Sequence, residues 1–66
     1  MIPEDLTEQW NELLRVYARD DEAAHGIEDD MREEVLELIA GGAENAEELA
    51  RFALRSGSLD FERWCA

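Results

Sequence analysis

The segment IEDDMREEVLELIAGG, residues 27–42, decides the fold. Its large apolar side chains return every three or four positions, which places them on one face of an α-helix. They are Ile27, Met31, Val35, Leu38 and Ile39, with Leu36 beside them. Gly41 and Gly42 then end the helix, because glycine is the usual residue just beyond a helix C-terminus. Acidic residues fill most of the other positions, so the segment predicts an amphipathic helix with a negative outer face.

The start of this helix has two interpretations. Asp20 and Asp21 are suitable residues to cap it, since their carboxylates accept hydrogen bonds from the first backbone N–H groups. Gly26 interrupts the segment that follows, and glycine inside a helix costs about 1 kcal/mol relative to alanine. Gly26 therefore lies inside the helix at that cost, or instead marks a close crossing with another helix or a later helix start, at about residue 27.

A helix is predicted on each side of this segment. Pro3, Glu4 and Asp5 suit a first helical turn, and an apolar stripe follows to about residue 18: Leu6, Trp10, Leu13, Leu14 and Tyr17. Asn45 and Glu48 have the spacing of a capping box for the other helix, and Gly57 is expected to end it. Its apolar face is predicted to contain Leu49, Phe52, Ala53 and Ser56, flanked by Leu54.

The end of the chain is rich in large apolar residues. Leaving Leu59, Phe61 and Trp64 in water would cost about 1.5–3 kcal/mol each, so we expect this tail to pack on the helices or on a neighbour. No alternating β-type pattern occurs in the sequence. The prediction is an all-α protein: one compact three-helix domain over residues 1–66, with a docked C-terminal tail.

Composition excludes several classes of function. The chain has 66 residues, 18 acids, six arginines and no lysine, for a net charge of −12. Direct binding to nucleic acid or to an anionic membrane is not expected, because both need clustered basic residues. One cysteine, no signal peptide and no membrane span indicate a cytoplasmic protein. A core this small is marginal, so we expect a homodimer or a bound partner to stabilise it.

The negative charge is concentrated in one part of the chain. Residues 20–44 carry −9 of the total of −12. Three like-charge pairs at i, i+4 oppose the helix there: Asp29–Glu33, Asp30–Glu34 and Glu33–Glu37. Only Glu28–Arg32 is favourable at that spacing. Such a face indicates either a binding site for a basic partner or a solvated surface that maintains solubility.

The leading functional hypothesis is a non-catalytic protein-interaction module that binds a basic protein surface. Its predicted contact residues are Asp29, Asp30, Glu33, Glu34, Glu37, Arg63 and Trp64. A second hypothesis is a phage-type nucleic-acid mimic that inhibits a host nucleic-acid-binding or defence protein. The helical rise of about 1.5 Å per residue lets carboxylates imitate a run of phosphates.

A third hypothesis is a ferritin-like metal-binding dimer. Glu22 and His25 have the Glu-x-x-His spacing that places two ligands on one helix face. The leading hypothesis assigns no metal site and no cofactor. The chain has one histidine, with no serine or cysteine partner at a recognisable spacing, so no catalytic residues and no enzymatic activity are predicted.

Two stretches occur together in this chain: Asp20-Asp21-Glu22-Ala23-Ala24-His25 with Glu28-Asp29 after it, and Phe61-x-Arg63-Trp64-Cys65-Ala66 at the end. Together they resemble a group of short uncharacterised bacterial and phage-borne proteins. In that group an acidic E-A-A-H…E-D segment precedes a leucine-rich helix, and the chain ends in Arg-Trp-(Tyr or Cys)-Ala. The resemblance spans most of residues 9–66 and implies a small helical protein from a phage or mobile element. It brings no established activity and no functional residues.

Overall fold

The computed structural model describes residues 2–59, which form three α-helices and a final 3₁₀ helix. Helix α1 spans Glu4–Val16, α2 spans Asp21–Ala40, α3 spans Ala46–Leu54, and the 3₁₀ helix spans Arg55–Ser58. No strand occurs in residues 2–59. The predicted all-α, three-helix architecture is confirmed for this part of the chain. Leu59 is half-buried against the core, and the rest of the predicted tail, residues 60–66, lies outside the described residues.

Helix α2 begins at its aspartate cap. The backbone N–H of Ala23 donates to Asp20 Oδ1 at 3.0 Å, which satisfies one of the N–H groups that a helix start leaves without a partner. The alternative start at about residue 27 is therefore wrong, and so is the close crossing at Gly26. Among residues 2–59, a Cβ on Gly26 would have no atom within 4 Å apart from the helix backbone nearby. At the other end Gly42 has a φ of 93°, which glycine adopts without strain.

Helix α1 is amphipathic as predicted, but its stripe is unevenly buried. Leu6 and Leu13 are fully buried, while Trp10 and Tyr17 are half-buried and Leu14 is 43% exposed. The helix ends at Val16, two residues earlier than predicted, and a turn over residues 17–19 leads to α2. The core is therefore formed by one narrow edge of the stripe.

Helix α3 has the predicted residue, Asn45, at its N-cap position, but it ends earlier than predicted. Asn45 does not cap it with its side chain. Instead, Asn45 Nδ2 donates to Glu48 Oε1 at 3.0 Å. The α-helix ends at Leu54, before Gly57, because the backbone tightens into the 3₁₀ helix that contains this glycine. The end of α3 is thus a change of helix type and not a glycine cap.

The core lies along α2, which packs against both α1 and α3. Its buried apolar residues are Leu6, Leu13, Ala24, Met31, Val35, Leu49 and Phe52. Trp10 meets Phe52 edge to face, with ring centroids 6.1 Å apart, and so joins α1 to α3. Both predicted core aromatics contribute, although Trp10 stays partly exposed. No helix in the described part of the chain is long and apolar enough to cross a bilayer.

Candidate interaction surface

The acidic residues of α2 lie in three different environments. Four of the predicted contact residues are exposed, namely Asp29, Asp30, Glu33 and Glu37. We call these four the acidic ridge. Glu34 is half-buried, and Glu28 is only 1% exposed. The sequence-based prediction treated Asp29, Asp30, Glu33, Glu34 and Glu37 alike, so the separation of Glu34 from the other four comes from the way α2 packs.

The acidic ridge follows one exposed side of α2 over more than two turns. Asp30, Glu33 and Glu37 lie about 4.5 and 6 Å apart along the helix axis, from a rise of about 1.5 Å per residue. None of these three makes an ion pair or a side-chain hydrogen bond within residues 2–59. Asp29 Oδ2 lies 3.5 Å from His25 Nδ1. The ridge therefore presents carboxylates that the described fold does not use for packing.

Glu34 points towards α1. Gln9 Nε2 donates to Glu34 Oε1 at 2.9 Å, which joins the two helices through a part-buried hydrogen bond. The second polar atom of the Gln9 side chain, Oε1, is buried and has no hydrogen-bond partner in the described structure. The structure thus places Glu34 in the contact between helices and apart from the acidic ridge.

Glu28 is a buried residue that the sequence analysis treated only as one half of a helical ion pair. Its Oε2 atom lies 3.5 Å from Arg32 Nη2. A buried carboxylate is costly unless charged or hydrogen-bonding groups surround it. The signal for its burial was its position: Ala24, Glu28, Met31 and Val35 follow at four, three and four residues, so Glu28 occupies the apolar stripe.

Arg32 connects this buried pair to α3. Its Nη2 atom donates to Ser56 Oγ at 3.4 Å, and Ser56 Oγ donates in turn to Ala53 O at 3.4 Å. Ser56 is fully buried. The contact places the 3₁₀ helix that follows α3 beside the middle of α2. The short connection over residues 41–45 joins the end of α2 to the start of α3, so the two helices run in opposite directions.

An apolar groove lies between these two helices. It has a volume of about 350 Å³ and is lined by Arg32, Val35, Leu36, Ile39, Ala50, Ala53 and Leu54. Leu36 is 65% exposed and Leu54 is 72% exposed, the most exposed large apolar residues of the described chain. Leu36 had been placed beside the apolar stripe and Leu54 beside that of α3, but only the packing of the helices brings them to one groove.

The alternative metal ligands stay near the surface. Glu22 is exposed, and His25 is half-buried with Asp29 as its acidic neighbour. Within residues 2–59 no group of three or more histidine, cysteine or acidic side chains is arranged to hold a metal ion. Two predicted contact residues, Arg63 and Trp64, lie outside the described part of the chain.

Comparisons with known proteins give no family. No family model matches the chain, and neither a curated protein nor a solved structure is significantly similar to it. A functional assignment therefore rests on the acidic ridge, the groove and the charges around them.

Proposed function

We propose that this protein is a non-catalytic interaction module whose acidic ridge binds a basic surface of another protein. The observation that carries the proposal is the contrast among the acids of α2. Glu28 and Glu34 take part in packing, whereas Asp30, Glu33 and Glu37 are exposed and form no ion pair within residues 2–59.

The ridge also works against the helix that carries it. Glu33 lies four residues from both Asp29 and Glu37, and each like-charge pair at that spacing costs a helix about 0.2–0.5 kcal/mol. Helix α2 is stabilised by its Asp20 cap and by its buried face. Carboxylates that oppose the fold are better explained by an interaction outside it, because a basic partner would relieve their repulsion.

The ridge is suited to recognition more than to tight binding. Exposed ion pairs contribute about 0.2–1 kcal/mol each, so three or four of them give limited affinity. A concentrated field of one sign nevertheless speeds encounter with an oppositely charged surface and fixes its orientation. On this proposal the ridge selects and steers a basic partner, and apolar contacts supply the remaining affinity.

The test compares two triple variants with equal net charge. One neutralises three of the four ridge residues (Asp30→Asn, Glu33→Gln and Glu37→Gln), and the other neutralises three exposed acids elsewhere (Glu4→Gln, Glu8→Gln and Glu44→Gln). Each is immobilised and used to capture proteins from a bacterial lysate, which are quantified by mass spectrometry. We expect recovery of basic proteins to fall about fivefold or more for the ridge variant only.

Equal losses for both variants would mean that total charge, and no particular surface, causes capture, and this would refute the proposal. Adding duplex DNA as a competitor distinguishes the nucleic-acid-mimic hypothesis from the proposed binding of a basic protein surface. Under mimicry, duplex DNA should displace the captured proteins, because both would occupy the same basic groove. Capture that duplex DNA does not displace would argue against mimicry while leaving the interaction module intact.

A further inference from the structure

We infer that the apolar groove between α2 and α3 binds one kind of partner segment, a basic amphipathic helix. This inference rests on the proposed function and adds to it the secondary structure of the partner and the residues that hold it. The groove supplies apolar contact, while the acidic ridge attracts the basic segment electrostatically.

The dimensions of the groove fit a short helix. Along α2 it extends from Arg32 to Ile39, about 10 Å at a rise of about 1.5 Å per residue, or about two helical turns. Amphipathic helices that bind in grooves use apolar anchors three, four and seven residues apart, which fall within this length. A volume of about 350 Å³ provides space for such anchors between the helices.

Two exposed leucines border the groove on opposite helices. Leu36 on α2 is 65% exposed and Leu54 on α3 is 72% exposed. Neither is needed to fill the core, whose buried members lie on other positions of the same helices. A helix in the groove would cover both leucines at once, so they are the expected anchoring contacts on this protein.

The charges around the groove favour a basic occupant. Glu33 lies one helical turn before Leu36 and forms no ion pair within residues 2–59. Glu47 on the facing helix is paired with Arg51 at 2.9 Å, so its charge is offset. Arg32 is the basic residue in the lining, and its charge is offset by Glu28 Oε2 at 3.5 Å. A second copy of this chain would bring a further net charge of −12 to a protein that already carries −12, which disfavours it as the occupant.

The test uses the full chain and a defined probe, a fluorescein-labelled peptide of leucine and lysine with the sequence LKKLLKLLKKLLKL. Binding is measured by fluorescence anisotropy for the unaltered protein, Leu36→Ser and Leu54→Ser. Leu14→Ser is the matched control, because Leu14 is an exposed leucine on α1 and does not line the groove. Circular dichroism verifies that each variant is folded.

We expect each groove variant to weaken binding about tenfold or more, because it removes the apolar contact of one leucine with the peptide. The control should weaken binding less than about twofold. A peptide with glutamate in place of lysine should not bind, and the lysine peptide should bind less tightly in about 1 M salt. These results together would establish that the basic helix binds in the apolar groove and that the negative charge of the protein selects it.

Several results would overturn the inference. Unchanged binding by Leu36→Ser and Leu54→Ser, with weaker binding by Glu33→Gln and Glu37→Gln, would leave the ridge as the site and refute the groove alone. Dimerisation of the unaltered protein that Leu36→Ser abolishes in sedimentation equilibrium would assign the groove to a second copy. Tighter peptide binding by Trp64→Ala would assign it to the chain's own C-terminal residues. If the groove variants weaken peptide binding but the ridge variant does not reduce capture from the lysate, the proposed function is refuted and the groove remains a binding site for a basic helix.

Discussion

The Nη2 atom of Arg32 lies 3.5 Å from Oε2 of Glu28, and that carboxylate is 1% exposed. Glu47 and Arg51 on α3 repeat the same sequence spacing and order, with Nη2 and Oε2 2.9 Å apart, but both side chains are mostly in solvent. The chain thus contains the same ion pair in two settings. The Arg32 side chain is 42% exposed, so only the carboxylate of this pair is buried. Because water screens a pair with one buried partner less than a pair on the surface, we expect loss of the longer pair to have the larger effect on stability.

Loss of the two arginines should therefore have unequal effects. We expect Arg32→Met to lower the free energy of unfolding by about 1–3 kcal/mol, because a buried carboxylate loses a charged neighbour and Ser56 loses a donor. Arg51→Met should change it by about 0.5 kcal/mol or less. Urea denaturation followed by far-ultraviolet circular dichroism measures both. Equal effects would mean that burial of Glu28 does not govern the strength of its pair.

One glycine inside α2 and one just beyond its end should respond in opposite directions to alanine. Gly26 is an exposed helical residue with open space around its absent Cβ, so Gly26→Ala should stabilise the protein by about 0.5–1 kcal/mol. Gly42 has a φ of 93°, where a Cβ is strained, so Gly42→Ala should destabilise it by about 1 kcal/mol. Thermal unfolding of the two variants provides the comparison. A lower melting temperature for Gly26→Ala would point to a packing role that the structure does not contain.

The cap of α2 should be measurable by removal and rescue. Asp20→Ala removes the oxygen that accepts from the Ala23 N–H and should cost about 0.5–2 kcal/mol. Asp20→Ser should recover most of that loss, because a hydroxyl can accept the same hydrogen bond. Chemical denaturation of both variants tests the pair. Failure of serine to rescue would show that the charge at position 20, and not the hydrogen bond, stabilises the helix start.

The acidic ridge should lower stability, and reversing its central charge should raise it. Glu33→Lys converts two like-charge pairs, with Asp29 and Glu37, into opposite-charge pairs, so we expect a gain of about 0.5–1.5 kcal/mol at low ionic strength. The gain should shrink in about 1 M salt, where exposed charges are screened. Glu47→Lys is the control, since it replaces the favourable pair with Arg51 by a like-charge pair and should destabilise. Denaturation at two salt concentrations measures these differences, and no gain for Glu33→Lys would remove one support of the proposed function.

The helices could be predicted from sequence because local rules determine them. The apolar spacing located α2, Asp20 and Gly41 bounded it, and the acidic outer face was evident from Asp30, Glu33 and Glu37. These features depend on residues within a few turns of one another. For the same reason the uncertainty at Gly26 could not be resolved locally, because only the absence of a neighbouring helix there shows that no crossing occurs.

The buried pair and the groove depend instead on how helices pack. Glu28 was recognised from the sequence only as the partner of Arg32, although its position belongs to the apolar stripe and it is buried. Leu36 and Leu54 are 18 residues apart in sequence, and they border one groove because Arg32 and Ser56 hold α3 antiparallel to α2. Periodicity within a helix cannot supply the relative placement of two helices, so the groove required the structure.

The short connections at residues 17–20 and 41–45 also determine how quickly this surface can form. Each helix packs against its neighbour in sequence, so these contacts close short loops and cost little chain entropy. Helical proteins with such local contacts fold in about microseconds to milliseconds. Because α2 contributes to both the acidic ridge and the groove, each refolding event restores the two together, within a time that is short compared with the lifetime of many protein complexes.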